Sequence, residues 1–278
     1  MDQFSDIALN LGLTLFTIAV CVAIEQVSVI ERYSLSARIP GALMNAFGTV
    51  GSIFLMWPIN KLWAWFNPSA VLTIPLWQWL QPLGAAGYAL QFLLLVMIAD
   101  FLAYWRHRAE HAWFWPIHVV HHSPHELHAA NDIGHPVQVL FSILFISVPM
   151  SLIQIDGPGT PFVVGFVVGL LSYYIHSPVD VHFGPLRKVL VDNRYHRIHH
   201  SLEPKHFDKN FGICFSLWDR MFGTAYDPEP GEWPAVGVAG VKPPRTIRDY
   251  LMLPMPFFRR TKPERVEAPA HDSCLQNP

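Results

Sequence analysis

Three apolar runs, Ile7 to Ile30, Gly41 to Trp65 and Gly84 to Trp105, are each long enough to cross ~30 Å of hydrocarbon at ~1.5 Å per helical residue. A chain built on such runs must satisfy its backbone polar groups internally, which selects a helical bundle in a membrane. The balance of residues agrees: 51% are hydrophobic, 14% are charged and the mean hydropathy is +0.27. Trp57, Trp63 and Trp65 sit like an interfacial belt at the end of the second run. Pro68 to Pro82, with three prolines and Trp77 and Trp79, reads as interfacial rather than spanning. Two shorter runs, Val137 to Ile153 and Pro161 to Ile175, are joined by a turn containing Asp156, Gly157, Pro158 and Gly159. They either cross as spans four and five or form a re-entrant hairpin.

Charge placement orients these runs. Arg32 and Arg38, Arg106 and Arg108, and Arg187, Lys188, Arg194 and Arg197 all fall on one side of the expected topology, with Lys61 opposite. The positive-inside rule puts the first side in the cytoplasm. The expected fold is therefore all-α: a polytopic integral-membrane bundle of four or five helices with a cytoplasmic histidine-rich helical cap. Its expected parts are residues 1–83 (membrane helices and the interfacial segment), 84–226 (a catalytic domain) and 227–278 (a Pro-rich, flexible tail). A net charge of −2 gives no basic surface for nucleic acid. Cys21, Cys214 and Cys274 make no Cys-x-x-Cys pair, so no thiolate metal site or disulfide framework is expected.

Fourteen of the 15 histidines lie between His107 and His206, and that crowding needs a chemical reason. Three clusters stand out. His107 and His111 are spaced i, i+4 on a continuing helix; His118, His121 and His122, and then His196, His199 and His200, are spaced i, i+3, i+4. One catalytic zinc needs about three protein ligands, so eight imidazoles suit two metals, each keeping an open position, and iron suits imidazole and oxygen chemistry. The two apolar runs between the second and third clusters carry the chain out and back, which brings all eight together. His135 and His176 could complete a ligand shell or serve as outer donors, with His182 a weaker candidate for either, whereas His125, His128 and His206 read as surface or helper residues. Metal-bound imidazoles need an acceptor on the other ring nitrogen. Asp100, Glu110, Asp132 and Asp192 are the nearest candidates, Asp100 the best placed and Asp192 the one flanking the third cluster.

Rival chemistries are disfavoured by what the pattern omits. Glu110 precedes His111 instead of following His107, so His-Glu-x-x-His is absent and a zinc hydrolase lacks its base. A metal transporter needs polar residues along its path, and Glu25 and Asp100 are sparse. No flavin, nucleotide, haem or iron–sulfur motif is present, so electrons for oxygen chemistry must come from an external donor such as a ferredoxin.

The chain resembles the fatty acid hydroxylase superfamily, in particular its bacterial sterol desaturase-like members. The resemblance rests on His107-x3-His111, His118-x2-His121-His122 and His196-x2-His199-His200. Flanking it are Asp100, His122-Ser-Pro, His135-Pro136, Gly184-Pro-Leu, Asp208-Lys-Asn-Phe-Gly212 and Leu217-Trp-Asp-Arg-Met-Phe-Gly-Thr224. It covers about Phe92 to Thr224. Many members read His-Ser-Asn or His-Ala-Asn where this chain has His176-Ser177-Pro178. The resemblance implies a non-haem di-iron centre with O2 as co-substrate, in a bacterial inner membrane with its site on the cytoplasmic side. It also implies a lipid substrate entering from the bilayer, such as a sterol, fatty acyl chain, sphingolipid or carotenoid, and hydroxylation or desaturation at an unactivated C–H bond.

Overall fold

The computed structural model describes residues 3–27, 29–66, 69–156 and 160–258. Two long helices open it, α1 (Gln3–Val27) and α2 (Leu35–Phe66). Thr14 meets Thr49, and Glu25 pairs with Arg38, so the two run antiparallel. The next segment is β1 (Leu72–Ile74) and α3 (Leu76–Leu80), and then α4 (Ala85–Trp113) begins beyond Gly84, whose φ of 55° lies in the region that glycine tolerates. Three helices, Ile7–Val27, Leu35–Phe66 and Ala85–Trp113, are long and apolar enough to cross a membrane. As the spacing of the first histidine pair predicts, α4 does not stop at the end of its apolar run. It continues for two more turns and carries His107 and His111 on one face.

Phe114 breaks that helix, and α5 (Trp115–His122) starts with Pro116 in its first turn, where a missing N–H costs nothing. The second cluster is therefore rigid helix as well. The next helical run is α6 (Gln138–Ser142), a π-helical turn (Ile143–Ser147) and α7 (Val148–Leu152) in succession. β2 (Ile153–Ile155) follows and pairs in parallel with β1, Leu72 opposite Ile153. The return helix is α8 (Thr160–Ile175), which packs on α4 through Val164, Leu95 and Val96. Both runs, among the described residues, are shorter than the ~20 residues of a full crossing.

The third cluster lies on α9 (Asn193–His199), N-capped by Asp192, whose carboxylate accepts the Tyr195 N–H at 3.0 Å. α10 (Leu217–Met221) closes the histidine-rich part.

One expectation needs correction. The chain beyond Asp227 is not a free tail as far as Phe258: Val236 bridges to Ser201, and α11 (Ile247–Met252) and α12 (Pro254–Phe258) pack against the body. Tyr250 is buried with Met44, Val120 and Ile133. The proline density masks a short amphipathic signal, Ile247, Tyr250 and Leu251, started by a Thr246–Asp249 capping box. The remainder of that expectation, 259–278, lies outside the described residues.

Candidate metal centre

The helix ends bring nine imidazoles into two adjacent groups. His107, His111, His118, His122 and His199 form one; His121, His176, His196 and His200 form the other; within each, the ligand atoms lie within 4.8 Å of one another. The three clusters are thus not three sites. An i, i+4 pair such as His118 and His122 or His196 and His200 faces one way on its helix, while the i+3 member, His121 or His199, turns into the other group. The His122 and His200 rings stack at 4.4 Å and join the groups.

Ring orientation tests whether these are metal ligands. His107 Nδ1 lies 2.9 Å from the Phe211 carbonyl, His121 Nδ1 2.9 Å from Ile133 O, His199 Nδ1 2.8 Å from Lys209 O and His176 Nδ1 2.7 Å from Ser172 O. His118 Nδ1 lies 2.8 Å from Glu110 Oε2 and His111 Nδ1 3.4 Å from Asp208. A proton on each Nδ1 satisfies those acceptors and leaves the Nε2 lone pair aimed inward. The inward atoms then face each other: His107 and His118 Nε2 are 3.1 Å apart, His111 and His122 3.1 Å, and His176 and His196 3.2 Å. Two lone pairs so placed repel unless a cation sits between them. Ligand nitrogens ~2.1 Å from one ion, at ordinary coordination angles, are ~3.0–3.4 Å apart. His199 Nε2 is buried without a hydrogen-bond partner among the described residues, which fits the same reading.

Electrostatics agree. Burial, reinforced by the charge that neighbouring imidazoles would carry, holds His118, His122, His196, His199 and His200 well below the usual histidine range. His121 falls to about 4 for the same two reasons, burial first and then the repulsion of His176. These rings are neutral near pH 7, the form that binds metal.

The outer contacts differ from the sequence ranking. Glu110 and Asp132 approach ligand rings, Asp132 at 3.7 Å from His176 Nδ1 and accepting the Ser172 hydroxyl at 2.6 Å. Among the described residues, Asp100 and Asp192 reach no imidazole. Asp100 accepts the backbone N–H groups of Ile213, Cys214 and Phe215 and the Trp218 indole N–H, and Asp192 caps α9 and takes the Arg187 guanidinium at 2.7 Å. Both position the backbone that presents the ligands. His176 joins the second group, but His135 lies in neither; its Nδ1 accepts the Val137 N–H at 3.3 Å. Gln138 carries no sequence signal, yet its amide nitrogen is 3.1 Å from Glu110 Oε2 and 3.0 Å from His118 Nδ1. A further cluster of Glu203, His206 and Glu232 is an ion-pair network, with Lys205 Nζ 2.7 Å from Glu232.

Residues 92–224 match the fatty acid hydroxylase family model. The chain is 30% identical over 196 residues to ornithine lipid hydroxylase OlsE of Rhizobium tropici, covering 68% of this chain and 56% of that protein. It is 34% identical over 129 residues to alkylglycerol monooxygenase of Danio rerio, covering 45% of this chain and 28% of the relative. Against the Delta(7)-sterol 5(6)-desaturase erg32 of Schizosaccharomyces pombe it is 27% identical, over 49% of this chain and 40% of that one. The matches thus span between 28% and 56% of these relatives' lengths. No solved structure matches the chain.

Proposed function

Residues 92–224 are a fatty acid hydroxylase domain, and from that premise we propose that the chain is a multi-pass membrane oxidoreductase that hydroxylates an unactivated C–H bond of a lipid. Two iron ions, O2 and electrons from a separate ferredoxin-like protein complete the system. The two groups of five and four inward-facing imidazoles carry this reading, because one metal cannot use nine. The relatives are named as a hydroxylase of ornithine lipid, a monooxygenase of alkylglycerol and a desaturase of a sterol, all chemistry on lipids. Hydroxylation is preferred, since desaturation requires two aligned hydrogen abstractions. The positive residues beside the histidine groups support a cytoplasmic active site.

Iron bound there would supply reductive activation of O2, with the balance RH + O2 + 2 e⁻ + 2 H⁺ giving ROH + H2O. The chain's own contribution is geometric. The Phe211, Ile133, Lys209 and Ser172 carbonyls lock four rings in the tautomer that presents Nε2, and the Glu110 carboxylate does the same for His118. Burial removes water from the reacting centre. The test is iron content and reductant-dependent O2 uptake of purified protein, with His121→Ala and His199→Ala as controls and lipid profiling of a deletion strain to find the substrate. Protein with no iron, or unchanged O2 uptake in both variants, sinks the proposal.

A further inference from the structure

Between α1, α2 and the start of α6 lies a cavity of about 420 Å3 that the metal chemistry does not use. On α2, Asn45, Thr49 and Ser52 line it at i, i+4 and i+7, one face of the helix; Thr14 lines it from α1, with His135 and Gln138 opposite. Hydroxyls and amides inside a span are costly unless partnered, and a common use is to hold helices together. That use explains the Thr14–Thr49 contact at 3.4 Å and the Asn45 amide bond to the Ala130 carbonyl at 2.9 Å. It does not explain why the polar faces diverge around open space instead of closing.

Two further observations point to a ligand. Gln138 forms one wall of the cavity, and its amide nitrogen is 3.0 Å from His118 Nδ1, so cavity and metal centre share that side chain. Among the described residues, no Asp, Glu, Lys or Arg lines the cavity. The nearest charge, Arg106 behind Ser142 at 2.7 Å, is offset by Glu110, so a phosphate, carboxylate or ammonium would find no unpaired counter-charge there, whereas a purely hydrocarbon chain would leave Ser52 and one hydroxyl hydrogen of the Thr14–Thr49 pair without a partner. We propose that this cavity is a substrate subsite that takes an uncharged, hydrogen-bonding segment of the lipid, a hydroxyl or an amide, and thereby sets which lipid presents a C–H bond to the metals. The inference rests on the lipid hydroxylase reading, and it assigns specificity to α1 and α2, which lie outside the matched family domain.

Photolabelling of the iron-loaded protein in phosphatidylcholine nanodiscs tests it. One probe is a ceramide with a diazirine beside its amide, the other a hydrocarbon diazirine of equal length. The ceramide probe is expected to label residues 45–53. The near-isosteric double variant Thr49→Val with Ser52→Ala should cut that labelling about tenfold, the size of one or two lost hydrogen bonds, and leave hydrocarbon labelling unchanged. Gly48→Leu is expected to exclude both probes, because a Cβ at Gly48 meets nothing within 4 Å and the larger side chain can fill the space. Equal labelling by both probes, ceramide labelling indifferent to the double variant, or no labelling at 45–53 in protein that holds iron and consumes O2 overturns the subsite while leaving the enzyme reading intact. Specific labelling in protein that neither holds iron nor consumes O2 overturns the enzyme reading and retains an uncharged-lipid site.

Discussion

The Asp100 carboxylate accepts the backbone N–H of Cys214 at 2.9 Å, which ties the middle of a membrane helix to a loop 114 residues later. The same carboxylate holds Ile213, Phe215 and Trp218, and the anchored strand of backbone begins two residues after Phe211, whose carbonyl orients His107. Asp100→Asn presents an NH2 group to donors and leaves buried N–H groups unpaired. A loss of ~2–3 kcal/mol of stability is expected, with weaker metal binding in the first group. Thermal unfolding in detergent and iron per chain measure the two effects; an Asn variant with unchanged unfolding would show that the carboxylate is not the anchor.

His176 and His135 separate by position. His176 supplies one of four imidazoles in the second group, while His135 lies outside both groups. His176→Ala should lower bound iron from two ions per chain toward one, with the five-histidine group retained. His135→Ala should keep both ions and alter lipid binding instead, because His135 lines the α1–α2 cavity. Elemental analysis of the two variants side by side checks this, and equal iron loss in both would contradict the grouping.

Much of this was legible before the fold. The i, i+4 and i, i+3, i+4 spacings fix which imidazoles share a helix face, and long apolar runs fix the first three helices. Which imidazoles fall into one group was not legible, because the i+3 member of each triplet turns into the group its neighbours avoid, a matter of how α4, α5 and α9 meet. From the sequence Asp100 reads as an acceptor for a metal-bound imidazole, but its partners are the backbone amides of a distant loop, which have no sequence signature. The ring acceptors are mostly carbonyls for the same reason. Gln138 was invisible because a glutamine after an ordinary loop carries no pattern.

Glu25 and Arg38 form a buried ion pair between α1 and α2, and Glu25 Oε1 also accepts the Ala129 N–H at 2.9 Å. This pair couples the N-terminal hairpin to the loop after the second histidine cluster. Arg38→Met leaves the carboxylate buried and uncompensated and should destabilise the protein by ~3–5 kcal/mol. Adding Glu25→Gln removes the stranded charge and should recover part of that loss. A double-mutant cycle on detergent-solubilised protein reads the coupling; additive effects would show that the pair is not energetically joined.

The histidine groups also set a pH dependence. His118, His121, His122, His196, His199 and His200 all have folded pKa values below the usual 6.5, so the unfolded chain binds more protons than the folded one once pH falls beneath that value. Stability then rises with pH through this window: it is complete above 6.5 and is lost as pH falls toward the folded values, that of His121 being about 4. Metal-free protein should therefore lose ~10 °C or more in its unfolding midpoint between pH 7.5 and pH 5. Metal-loaded protein should hold its midpoint further into acid, since protons must first displace the ions from neutral imidazole. Calorimetry of both forms across that range tests the sign, and a metal-free midpoint that is flat or rises on acidification would refute the neutral-histidine assignment.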